Sequence, residues 1–171
     1  MPIGTVVFCV FLAGTAFMDL KERRVRNKWL LMAALSGLFI RGTAFVWAAS
    51  VFLIPGFLLY YFRMAGAGDG KTMAVIGGFL GVDAGLRAVG LGFALGALWG
   101  LRHWKGTGAL AARFTYFWIY LTQAVRRGAV CAYRGEWGDE EAYRIPLAAC
   151  MAAGSFLYLA GRWTAGRGGI G

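Results

Sequence analysis

The hydrophobic positions of this chain come in long blocks, parted by short basic or glycine-rich segments. The blocks fall at about residues 2–18, 29–40, 43–62, 72–82, 84–101 and 145–161. Apolar runs of this kind predict six helices of membrane-spanning type. The second and fourth are shorter than the roughly 20 residues that cross a bilayer unaided. Local thinning, flanking residues that extend the helix, or water access from one side would each accommodate them.

Composition agrees with that reading. Of 171 residues, 59% are hydrophobic and 15% charged, against about 45–50% and about 25% in ordinary soluble chains. The mean hydropathy is +0.60. These values exclude a disordered chain and speak against a soluble domain. The expected fold is all-α, a polytopic membrane protein forming a single membrane-embedded domain over residues 1–171. A net charge of +10 would point to nucleic acid in a soluble chain. In a membrane protein, basic residues instead gather on cytoplasmic loops and set topology, so no nucleic-acid partner is expected. Cys9, Cys131 and Cys150 are too few and too scattered for a disulfide framework. With a single His they cannot supply a metal site, and no cofactor is expected.

The first block has no basic residue before it and Lys21, Arg23, Arg24, Arg26 and Lys28 after it. A secretory signal has the opposite polarity. The block is therefore expected to persist as a first span, with the N-terminus outside an inner (plasma) membrane. With six spans, only Arg41, Arg87, Arg162 and Arg167 of the 18 basic residues then lie outside. That bias matches the positive-inside rule. The connection 102–144 would be cytoplasmic. Within it, residues 109–125 predict an interfacial helix whose Phe114, Tyr116, Phe117, Trp118 and Tyr120 suit the headgroup region. Spanning there would carry Arg126, Arg127, Arg134 and Arg144 outward, against the charge rule. Glu136, Asp139, Glu140 and Glu141 read most simply as a solvated loop face.

Gly77, Gly81 and Gly85 lie four apart, as do Gly92, Gly96 and Gly100. Such seams let helices approach closely in lipid. They read either as generic membrane packing or as a tight pairing of the fourth and fifth helices that braces a nearby site.

A carboxylate near a span costs a few kcal/mol and marks a functional site by default. Asp19 closes the first span and Asp69 opens the fourth, so the expected topology brings both to the cytoplasmic face. Alone, Asp19 would read equally as an interfacial carboxylate balancing the basic block beside it. Asp83 most simply caps the turn after the fourth helix. Asp69 sits in a stretch with Gly66, Gly68 and Gly70, where the backbone is free to adopt positive φ and to be approached closely. Gly70-Lys71-Thr72 resembles the end of a phosphate-binding loop, but Ala65 stands where the first Gly is needed and no strand leads in. Lys71 likewise spoils a dinucleotide-binding G-x-G-x-x-G.

Gly66-Ala67-Gly68-Asp69 resembles the GxGD motif of intramembrane aspartyl proteases, and Gly68-Asp69-Gly70-Lys71 is similar to the GD-x-K form of type IV prepilin peptidases. Asp19 through Asn27 resembles that family's first-aspartate segment at Asp19, Val25 and Asn27, with Arg26 where the family has Pro. Arg144-Ile145-Pro146-Leu147-Ala148 with Gly154 resembles its last-span motif. The resemblance implies a peptidase-only member without the methyltransferase domain, since no CxxC motif is present. It implies Asp19 and Asp69 as catalytic residues, and Gly66, Gly68, Gly70, Lys71 and Asn27 as shaping the site or binding substrate. It also implies type IV pilin-like precursors as partners, within the lipid bilayer. Helix-end electrostatics would favour negative charge on Asp69 and disfavour it on Asp19, making Asp69 the base and Asp19 the acid. Two other readings stay open on sequence alone: a peptidase of the archaeal preflagellin type, and a small transporter or channel whose membrane-edge carboxylates line an ion path.

Overall fold

A computed structural model describes residues 3–62, 65–104 and 145–166. The expected interfacial helix at 109–125, the acidic cluster 136–141 and Cys131 lie outside these residues. The described chain is helical and has no strand: α1 (Ile3–Glu22), α2 (Asn27–Arg41), α3 (Thr43–Tyr61), α4 (Ala67–Leu80), α5 (Val82–Trp104) and α6 (Leu147–Thr164). The segments Ile3–Glu22, Thr43–Tyr61 and Val82–Arg102 are long and apolar enough to cross a membrane. The all-α, polytopic membrane architecture expected from the hydropathy blocks is the one observed.

Helix ends fall where chain chemistry stops the helix rather than where hydropathy stops. The first apolar block ends at Met18, yet α1 runs on to Glu22 because nothing in Asp19-Leu20-Lys21-Glu22 breaks a helix. Arg23, with φ of 50°, ends it. Gly81, with φ of 86°, ends α4 and donates its N–H to Gly77 O. Such left-handed positions favour glycine, which has no Cβ to clash. Asp83 then lies in the first turn of α5, where an acidic side chain complements the helix dipole.

Consecutive helices run antiparallel. The Trp29 indole N–H of α2 donates to Phe11 O (3.4 Å) and Thr15 Oγ1 (3.3 Å) of α1, and its ring lies over Gly14. At the far end of the same pair, Gly4 faces Ile40. Phe45 of α3 meets Phe79 of α4 edge-on, at 5.6 Å between centroids, while Gly56 meets Gly70 backbone to backbone. The two glycine seams have different partners. Gly77 and Gly85 close α4 onto α5, with the Phe52 ring against both. Gly92, by contrast, packs on Met151 and Gly154 of α6. Four-residue spacing shows that a helix has a small-residue face, but not which neighbour fills it.

The short α4 is buried almost continuously from Thr72 to Leu80, with α2, α3, α5 and α6 around it. Residues 72–80 are surrounded by protein rather than lipid, which answers the length problem posed by the sequence. At its C-terminus the Arg41 guanidinium donates to the carbonyls of Gly78 and Phe79, a cation on the negative end of the helix. Outer faces of the bundle carry large apolar side chains, among them Phe17, Phe39, Trp47, Phe57 and Leu98. In lipid such exposure is the expected surface.

Candidate active site

The ends of α1, α3 and α5 and the starts of α2, α4 and α6 share one end of the bundle. The other end is fixed by Phe8 and Phe79, whose rings lie 5.1 Å apart. Asp19 lies roughly three turns further along α1 and Asp69 roughly three turns back along α4, about 15 Å in each case at 1.5 Å per residue. The two carboxylates therefore stand at the same level. Lys21, Arg23, Arg24, Arg26, Lys28 and Lys71 crowd that end too.

Phe8, Leu12, Thr15 and Asp19 follow helical spacing down one buried face of α1. Asp19 is only 7% exposed. A carboxylate that merely balanced the adjoining basic block would lie in the headgroup region, so this reading fits the burial poorly. One oxygen has a definite partner: the Ala149 N–H, in the first turn of α6, donates to Asp19 Oδ2 at 2.8 Å. Asp19 does lie near the C-terminal end of α1, as expected. The start of α6 also points at it, and this offsets the asymmetry that would make Asp19 the acid and Asp69 the base.

Asp69 is half-buried in the first turn of α4. The glycine-rich stretch forms helix from Ala67 onward, five residues before the apolar block begins. The Gly66 N–H donates to Asp69 Oδ2 (3.0 Å), half of a capping box, and Thr72 Oγ1 donates to Gly68 O (2.9 Å). None of Gly66, Gly68 and Gly70 has positive φ, so the expected use of that freedom is not realised. Close approach is realised at two of the three. A Cβ on Gly66 would lie 3.3 Å from Asp69 Oδ2, and one on Gly70 would lie 3.1 Å from the carbonyl carbon of Gly56. Gly68 has room, since an added Cβ would come no nearer than 4.0 Å to Val25 Cβ.

That spacing brings the turn after α1 near the start of α4. Val25 lies in the turn that follows Asp19, and Gly68 immediately precedes Asp69. A hydrogen bond ties the two segments beside it, where Lys71 Nζ donates to Asn27 Oδ1 at 3.0 Å. All seven residues expected at the site thus gather at one end of the bundle. Arg26, where the resembling family has Pro, adopts φ −70° and ψ 131°, a backbone that proline also takes. Its guanidinium pairs with Glu22 at 2.7 Å on the surface. Arg26→Pro should therefore change the unfolding free energy by less than about 1 kcal/mol, because reduced unfolded-state freedom offsets a weak exposed ion pair. Thermal melting of the variant in detergent checks this, and a large drop would mean that the turn needs the arginine.

Sequence reasoning missed Gly56, Trp29 and Ala149. Gly56 had no paired motif, Trp29 lay inside an apolar block, and Ala149 acts through its backbone. A separate apolar groove of about 410 Å³ runs between α3 and α5, lined by Phe52, Pro55, Leu59, Met73, Val89 and Phe93 among others. It holds no polar group and so no chemistry of its own. Among the described residues, no cluster of His, Cys, Asp and Glu could hold a metal ion.

Comparison with known families bears directly on this arrangement. The sequence profile of the type IV leader peptidase family matches residues 6–101. The chain belongs to the type IV leader peptidase family. No curated protein and no solved structure matches it. This leader peptidase is accordingly a membrane-embedded hydrolase of peptide bonds. Its family implies pilin-like precursors as substrates in a lipid setting. The match takes in Asp19, Asn27 and residues 66–71, and stops before α6.

Proposed function

We propose that the chain is an aspartic endopeptidase of the plasma membrane, a single membrane-embedded domain whose Asp19 and Asp69 activate water against a precursor's leader. The reading is carried by one observation: Lys71, two residues after Asp69, donates to Asn27 just beyond the turn that follows Asp19, so the segments bearing the two carboxylates lie at the same end of the bundle. Two neighbouring carboxyls cannot easily both ionise, so the pair holds one proton between them. The ionised partner takes a proton from water as its oxygen attacks the scissile carbonyl carbon. The protonated partner hydrogen-bonds the carbonyl oxygen. When the tetrahedral intermediate collapses, a proton passes to the leaving nitrogen. The products are the leader's new carboxyl terminus and the mature chain's free amine. Gly66 and Gly70 let Asp69 sit close to its own backbone and to α3, Gly68 leaves space beside it, and Asn27 fixes Lys71 at the rim.

The substrate is a type IV pilin-like precursor, a short basic leader followed by an apolar helix. The basic end of the bundle faces the cytoplasm under the positive-inside rule. The leader then stays inside, the helix lies in lipid, and the scissile bond falls between them. Co-expression with a panel of such precursors tests this, with leader removal followed by mass. Wild type should cut at least one precursor. Failure to cut any of them, with the protein folded in membranes, would sink the proposal and make ion flux the next assay.

A further inference from the structure

We infer that the start of α6 is part of the catalytic apparatus, the backbone N–H of Ala149 acting as the positioning group that fixes the Asp19 carboxyl. The inference rests on the dyad reading above and assigns a role to a helix beyond the family match, which ends at residue 101.

Ala149 is the third residue of α6, and its N–H has no acceptor within its own helix, because the first intrahelical bond runs from Cys150 N to Pro146 O. Pro146, at the N-cap, provides no side-chain cap. A helix start left this way usually finds a local Ser, Thr, Asp or Asn. Here the acceptor is Asp19 Oδ2, 130 residues away in sequence and buried with its donor. Ala148 and Met151 are fully buried, and Gly154 sits against the backbone of Gly92, so α6 cannot slide to follow a moving carboxyl. Holding one oxygen at 2.8 Å restricts where the carboxyl group can point. The positive end of the helix meanwhile favours charge on that oxygen. The sequence motif at the last span therefore has a physical role, in which Pro146 leaves the helix start uncapped and small residues at Ala148 and Ala149 let α1 approach it.

The test removes the donor without altering the aspartates. Proline is tolerated in the first turn of a helix, so Ala149→Pro deletes the N–H at a position where no helical bond is lost. We expect kcat for leader removal to fall about 100-fold, the scale of a misplaced catalytic group, with KM held within about twofold. Ala149→Gly keeps the donor and should recover most of that loss. If Ala149→Pro does not fold, an α-hydroxy-acid residue at 149 puts an ester oxygen in place of the N–H and answers the same question with the side chain unchanged. A donor-less variant that cuts like wild type, while Asp19→Asn is inactive, overturns the inference and leaves the dyad standing. So does an equal loss in Ala149→Gly, which would show packing alone, or a raised KM at unchanged kcat, which would show substrate binding. Activity in Asp19→Asn would instead remove the dyad on which the inference rests.

Discussion

Asp19→Asn and Asp69→Asn should each lower leader removal by about 10³-fold or more, and the double variant should be no worse than either alone. The two carboxyls work as one device, because neither can move the water proton and polarise the carbonyl without the other. Groups that act as a unit are strongly non-additive. The amide is chosen because it matches the carboxyl in shape and keeps an acceptor for the two backbone donors. In Asp19→Asn the side-chain carbonyl still accepts from the Ala149 N–H, and in Asp69→Asn it still accepts from the Gly66 N–H, so both variants should melt close to wild type. Asp19→Ala differs, since it strands a buried N–H at the start of α6 and should cost about 1–3 kcal/mol of stability as well. Rates measured on the purified protein with a precursor substrate, beside melting curves, separate the two effects. Additive losses in the double variant would mean that the aspartates serve separate steps, and a dyad would be the wrong description.

The place of those aspartates was legible because three independent patterns agree on it: hydropathy blocks, the one-sided basic charge, and the spacing of glycines around Asp69. Each is local or one-dimensional. What stayed hidden depends on which helix meets which. The glycines of Gly66-Ala67-Gly68-Asp69-Gly70 suggested a backbone free to adopt positive φ, yet the stretch is helical from Ala67, held by Asp69 folding back on the Gly66 N–H and by Gly70 lying against Gly56. Tertiary contact overrides propensity there. Gly56 itself lies in α3 beside Pro55, where nothing in the local pattern announces a helix crossing. The partner of Asp19 was harder still. Ala149 has no functional side chain to single out, and a backbone donor becomes meaningful only once α6 is docked.

Gly154→Ala should be the most damaging single-methyl change in the last helix, lowering stability by about 1–3 kcal/mol and reducing cleavage with it. A Cβ at 154 would meet the Gly92 N, the Gly92 Cα at 2.7 Å and the Ala88 O at 2.8 Å. All three are backbone atoms of α5, so no side chain can swing aside and the helices must part. In lipid, close backbone packing supplies much of the association that the hydrophobic effect supplies in water, so the loss is felt directly. Parting α5 from α6 also shifts the start of α6, and with it the N–H on Asp19. Gly161→Ala is the matched control, the same substitution in the same helix with nothing within 4 Å of the added carbon. It should be neutral or stabilising by up to about 1 kcal/mol, since alanine is the better helix former. Melting temperatures and cleavage rates of the two variants side by side decide the matter. If Gly154→Ala melts no lower than Gly161→Ala, α6 is not clamped on the Gly92 seam, and the packing that fixes Asp19 from that side does not exist.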